Sequence, residues 1–97
     1  MANDLTSNPR IVDVVVTSGA AVTVISKPTK VILVQWVNLG TAEIADGSDL
    51  SLTVNSATFA IKAAAVGEVP YEVSPGTTIS NLVVNVMDAG AVLVWTA

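Results

Sequence analysis

Residues 44–54, Ile44-Ala-Asp-Gly-Ser-Asp-Leu-Ser-Leu-Thr-Val54, run from a glycine turn straight into a strict alternation of apolar and hydroxyl side chains. Leu50, Leu52 and Val54 face one way, while Ser51, Thr53 and Asn55 face the other. A period of two means a β-strand with one dry and one wet side. Outward from this stretch the same period recurs almost everywhere. Valine and threonine are abundant, and turn residues return every eight to twelve positions or so, the pattern of a sandwich or barrel.

The expected architecture is all-β: a compact antiparallel β-sandwich or jelly-roll-like barrel of about eight or nine short strands. An N-terminal arm, 1–9, is expected to be flexible and to precede a single β-sandwich domain, 10–97. Strands are expected near 10–16, 20–26, 30–38, 41–45, 50–55, 57–63, 69–73, 79–87 and 91–96. Turns are expected at Ser18-Gly19, Lys27-Pro28, Leu39-Gly40, Asp46-Gly47, Asn55-Ser56, Val66-Gly67, Ser74-Pro75-Gly76 and Asp88-Ala-Gly90. Each supplies a fixed φ, a positive φ or a side-chain cap. None of these connections has room for a crossover helix, so the strands should pair antiparallel. One segment competes: Ala57-Thr-Phe-Ala-Ile-Lys-Ala-Ala-Ala65, with Gly67 as a possible C-cap, is alanine-rich enough for a short helix. Strand is preferred there because Phe59, Ile61 and Ala63 alternate with Thr58, Ala60 and Lys62.

Composition bounds the function. The chain has 97 residues, and a domain of that size hides only about 60 to 65% of the surface its unfolded chain exposes. It has no cysteine and no histidine, which removes disulfides, thiolate metal sites, the commonest zinc ligand and the commonest general base. Charged residues make up 12%, where soluble domains average about 25%, and 52% of residues are apolar. The longest apolar runs, Val31-Ile-Leu-Val34 and Ala91-Val-Leu-Val-Trp95, fall far short of the roughly 18 residues of a transmembrane helix. The start, MANDLTSNPR, carries acid and proline where a signal peptide has basic residues and an apolar core, so synthesis in the cytoplasm is expected. A net charge of −4, with Arg10, Lys27, Lys30 and Lys62 spread along the chain, offers no row of cations for phosphates. Neither nucleic acid nor membrane is expected as a partner.

Asp46 and Asp49 are the best candidates for chemistry. Calcium wants about six to eight oxygens, and the EF-hand spacing with its distal glutamate is missing; Glu43 is close in sequence but on the face opposite Ile44. A catalytic carboxyl pair needs an apolar cleft to raise one pKa, and a hairpin tip projects into water. Asp-Gly is a favoured hairpin dipeptide, so the preferred reading is a turn that sets the register of Leu50, Leu52 and Val54. Glu68 and Glu72, flanking Pro70-Tyr71, read better as a solvated loop than as an acid/base pair. Serines and threonines abound, but without histidine no activated nucleophile can be assembled. No catalytic residue, metal ligand or cofactor is expected, and the chain is not expected to be an enzyme.

Several strands differ from Leu50–Val54 in being apolar on both faces. In Val31-Ile-Leu-Val-Gln-Trp-Val-Asn38, Val31, Leu33 and Val37 fall on one side and Ile32, Val34 and Trp36 on the other. The same holds for Ile11 to Val16, interrupted only by Asp13, and for Ala91 to Trp95. A sandwich has one core between its sheets, so the second faces must be roofed by a loop or arm of the same chain or covered by another subunit. Few charges favour the subunit. The candidate interface residues are Ile32, Val34, Trp36, Val92, Val94 and Trp95. A competing reading makes Trp36, Trp95 and Tyr71 a stacking platform for sugars, although tryptophan is also a common core and interface anchor.

The order of elements is a Pro-led strand, Lys27-Pro-Thr-Lys-Val-Ile-Leu-Val34, then Asp46-Gly47, a Ser-Pro-Gly turn at 74–76 leading into Asn81-Leu-Val-Val84, and a last short hairpin. In that order, and in size, lack of cysteine and valine-, threonine- and alanine-rich strands, residues 27–97 resemble small tailed-bacteriophage virion proteins of the head-decoration or cement type. The resemblance implies an oligomeric β-sandwich, a trimer ahead of a dimer, seated on the outside of a capsid and bridging subunits of the major capsid protein. It brings no catalytic residues. A carbohydrate- or receptor-binding module and a tail or fibre subunit are the alternatives.

Overall fold

The computed structural model describes residues 3–17, 19–38, 44, 48–62 and 71–97, with Phe59, Lys62 and Tyr71 described through their backbone alone. Among them lie nine strands and no helix: β1 (Arg10–Val12), β2 (Val22–Ile25), β3 (Thr29–Val37), β4 (Asp49–Val54), β5 (Ala57–Lys62), β6 (Tyr71–Val73), β7 (Thr77–Ile79), β8 (Leu82–Met87) and β9 (Ala91–Thr96). All pairings are antiparallel. One sheet runs β1-β9-β3, with β6 and β7 both pairing along the far side of β3; the other runs β2-β8-β4-β5. The fold is an all-β sandwich, as the alternation requires. The expected strand at 41–45 and the Asp46-Gly47 turn lie outside the described residues, except for Ile44, which is buried.

The segment that could have been a helix is β5, paired to β4 from Asp49↔Lys62 to Val54↔Ala57. The two-residue connection between them explains why. Asn55 and Ser56 both take positive φ, 49° and 73°, the left-handed pair that matches hairpin twist and brings residue 57 back beside residue 54. Once Thr58 sits opposite Thr53, their hydroxyls share a hydrogen bond at 2.8 Å, and strand pairing outweighs alanine's helix preference.

Two expectations of strand and turn are corrected. The span 79–87 is two strands: β7 belongs with β3 in the first sheet and β8 to the second. The chain changes sheets at Ser80-Asn81, where both amide N–H groups donate to the Asn55 side-chain oxygen, at 2.9 and 3.2 Å, and Asn81 C=O accepts from Asn55 N–H. The turn at 88–90 is not a hairpin either, because β8 and β9 lie in different sheets and the turn arches between them. Trp36 holds that arch from within, its indole N–H donating to Ala89 C=O at 2.9 Å in a buried hydrogen bond. Gly90 completes it at φ 72°.

The core draws Val12, Val31, Val34, Trp36, Val92 and Val94 from the first sheet and Val24, Ile25, Leu50, Leu52, Leu82, Val84 and Met87 from the second. Leu50 and Leu52 face inward with Ser51 half-buried between them, as the alternation predicts. In β3 the simple alternation fails. The register slips between Val31↔Thr96 and Leu33↔Trp95, so Ile32 and Leu33 together oppose one residue of β9. Such a bulge resets which side the next residues face. Val31, expected opposite Val34 and Trp36, therefore shares the buried side with them, and Ile32, expected beside them, turns outward at 47% exposure.

Candidate docking face

The outer faces of the two sheets differ in chemistry. On the second sheet, Thr23, Val83, Thr53 and Thr58 form one row across β2, β8, β4 and β5. The Asn85 side-chain amide donates to Thr53 Oγ1 at 2.8 Å, and Thr53 bonds Thr58 in turn. Thr53, Thr58 and Asn85 thus satisfy one another, and a hydroxyl-bearing surface of this kind has little need of cover.

The outer face of the first sheet is apolar. Ile11, Leu93 and Gln35 form one row and Leu33 sits beside Trp95, all flanked by exposed Ile32. Ile32 is 47% and Trp95 36% exposed, and just past β1 the bend continues with Val14 at 39% and Val15 at 37%. The polar groups on the face are already engaged. Trp95 Nε1 donates to Gln35 Oε1 at 3.0 Å, and Gln35 Nε2 donates to Glu72 Oε2 at 3.2 Å, a chain crossing β9, β3 and β6. Covering this surface would strand no amide, because its hydrogen bonds are internal to the face. The charges sit at its ends, with Glu72 on β6 and Lys30 at the start of β3.

Of the six residues nominated as an interface, Ile32 and Trp95 stand on this face. Val34, Trp36, Val92 and Val94 are 3% exposed or less and fill this chain's own core. They cannot touch another molecule without opening the sandwich. Trp36 is likewise excluded as a sugar platform, and the Tyr71 ring lies outside the described residues. Sequence reasoning missed Leu33, Ile11 and Leu93 as outward-facing, because the bulge that sets the parity of β3 falls in an unbroken apolar run with no residue to mark it.

Of the two carboxylates of the opening stretch, Asp49 belongs to no metal-ligating group among the described residues. Asp49 begins β4, and its N–H donates to Asp88 Oδ1 at 2.9 Å, which ties the inter-sheet arch to the second sheet. Asp46, Glu43 and Glu68 lie outside the described residues. A cavity of about 220 Å³ opens between the sheets, lined by Val34, Leu52, Val54, Val73, Ile79 and Leu82 with Asn55 and Pro75 at its margin. Among the described residues none of its lining side chains is an acid or a base.

No protein-family model, curated protein or solved structure matches this chain.

The N-terminal segment is bound to the sandwich on the same side as β1. Asp4 and Ile11 exchange backbone hydrogen bonds, at 2.9 and 2.6 Å, and Asn3 Oδ1 accepts from the N–H groups of Asp13 and Val14. The Asn8 side chain pairs with Thr96 in both directions, Nδ2 donating to its C=O at 2.9 Å and Oδ1 accepting from its N–H at 3.0 Å. Asp4 Oδ1 accepts from Thr6 and Ser7 N–H groups. Those bonds, led by the Thr6 amide, favour the ionised form and hold the Asp4 carboxyl below the usual aspartate range.

Proposed function

We propose that this protein is a structural docking subunit, a capsid decoration or cement protein of the tailed-phage kind, which attaches through the outer face of its β1-β9-β3 sheet. The observation that carries the reading is the contrast between its outer faces. One bears hydroxyls, with Thr53, Thr58 and Asn85 bonded to one another, and the other is apolar, with its polar groups bonded internally and its charges at the ends.

Size decides how such a face must work. A nine-residue strand is about 30 Å long and four strands at about 4.8 Å spacing are about 15 Å wide, so the face offers roughly 450 Å². Doubled, that is about 900 Å² of buried surface, just under the roughly 1,000 Å² expected of a specific interface. One copy on one coat subunit would come and go. An oligomer, a trimer ahead of a dimer, gripping several subunits of the major capsid protein would stay, because each added contact is made at high effective concentration. Its place would be the capsid surface, reached after synthesis in the host cytoplasm.

The test pairs light scattering with co-sedimentation on coat shells. Wild-type protein is expected to be oligomeric and to pellet with shells. Ile32→Asp, at an exposed position where substitutions change stability by about 0.5 kcal/mol or less, is expected to remain folded and stay in the supernatant. A monomeric wild type that ignores every shell would refute the reading.

A second reading has one observation in its favour: Trp95 presents an exposed ring beside Gln35 and Glu72, the pairing of stacking surface and hydrogen-bonding groups that sugar-binding modules use. It predicts glycan binding lost in Trp95→Ala and kept in Ile32→Asp.

A further inference from the structure

Away from the apolar face, a groove of about 420 Å³ runs between the N-terminal segment, β1, β2 and the turn into β3. That volume lies within the range of small-molecule sites. Its polar wall is made by Thr6, Arg10, Thr23, Ser26, Lys27 and Thr29, and no carboxylate among the described residues lines it. In a chain with eight acidic and four basic residues, two of the four cations converge here.

Arg10 is the fixed point. It is half-buried, and its Nη1 donates to Val24 C=O at 2.8 Å, which anchors the guanidinium plane across the mouth of the sandwich. Among the described residues that is the sole hydrogen bond made by its side chain, so the rest of the donor fork is available. A guanidinium held in this way presents paired N–H groups to a carboxylate or phosphate, and its orientation does not have to be bought on binding. Around it the hydroxyls of Thr23 and Ser26 have no partner among the described residues, while Thr6 and Thr29 use their hydroxyl protons on Asp4 Oδ1 and Lys27 C=O and keep oxygen lone pairs free to accept. Of the two acids nearest Arg10 in sequence, Asp13 is buried and is not part of the groove lining, and Asp4 has its carboxylate turned into its own loop.

We infer that this groove binds a small acidic sugar, one oxyanionic group on Arg10 and Lys27 with the sugar hydroxyls on the serine and threonine rim. The site is independent of the docking face and stands whether or not that face is covered.

The test follows amide and Arg10 guanidinium NMR resonances while glucuronate, glucose 6-phosphate, inorganic phosphate and glucose are added separately. Glucuronate or glucose 6-phosphate is expected to move residues 23–29 and Arg10 saturably, at least several-fold more tightly than inorganic phosphate, and glucose is expected to move nothing. The stronger of the two acidic sugars identifies the anion as carboxylate or phosphate. Arg10→Gln should abolish the shifts. Because Arg10 also holds Val24, Lys27→Gln serves as a second variant at an exposed position, expected to weaken binding several-fold with the spectrum otherwise unchanged. Absence of a saturable shift with either acidic sugar, equal binding of inorganic phosphate, or binding unchanged in Lys27→Gln would overturn the inference.

Discussion

Gly90 shows how much of this fold rests on single atoms. A Cβ there would lie 2.5 Å from Ile44 Cδ1 and 2.6 Å from Val37 C=O, and the backbone already sits at φ 72°. Ile44 could shift, but the carbonyl belongs to the last residue of β3 and moves only with the sheet. Overpacking costs about 1–3 kcal/mol and a positive φ about 1 kcal/mol more, so Gly90→Ala should lose about 2–4 kcal/mol in urea denaturation. A loss under about 0.5 kcal/mol, the range of a neutral surface change, would mean that the arch relaxes freely. Asp88-Ala-Gly90 was legible in sequence as a turn. Its role as a bridge between sheets was not, because the same residues serve either connection; what distinguishes them is Trp36 reaching Ala89 from 53 positions away.

At the scale of elements, Asn55 does two things that can be separated. Its φ of 49° closes the β4-β5 hairpin, and its side-chain oxygen receives the chain where it leaves β7 for β8. Asn55→Gly keeps the first and loses the second, and should cost about 0.5–1.5 kcal/mol, because water reaches the two exposed amides deprived of their acceptor. Asn55→Asp, which retains an acceptor oxygen, should recover most of that loss by the same denaturation measurement. The break it controls left a trace in the sequence: Ile79 and Leu82 are both buried although three apart, a spacing that no continuous strand permits on one face. Val31 and Val34 have the same odd spacing, but the apolar residues between them hide it. The N-terminal loop carries its own prediction. Asp4 ionises more readily in the folded protein than in the unfolded chain, so its contribution is complete above the ordinary aspartate value and fades as pH falls through the lower folded value. The Thr6 and Ser7 amide shifts should therefore titrate with a midpoint below the ordinary aspartate value, and Asp4→Asn should flatten both curves. A midpoint at or above that value would show that the loop does not hold the charge.

For the whole molecule, the sequence announced β structure and a shortage of charge, and both follow from composition and period alone. It could not say which apolar faces meet inside, since a sandwich and its mirror assignment have the same alternation until bulges and sheet changes fix the parity. That is why four of the nominated interface residues fill the core and the outward surface is made by their neighbours in sequence. The two sheets also share the chain unevenly: among the described residues β4-β5 is the one successive pair of hydrogen-bonded neighbours in one sheet, and the other strands are joined through long-range pairing such as β3 with β9. Pairing of that kind predicts slow folding, because loops must close before contacts reward them. The clamp of Asn8 on Thr96 has a mechanical consequence. Antiparallel β1 and β9 place Asn8 and Ala97 at the same end of their ladder, so tension between those points would load Asn8–Thr96 first, then Arg10↔Val94, one rung at a time, like a zipper. A protein tethered by its ends would peel open at low force. One gripped by the flat flank of a sheet carries the load across many rungs at once, the kind of strength that the docking role proposed above would require.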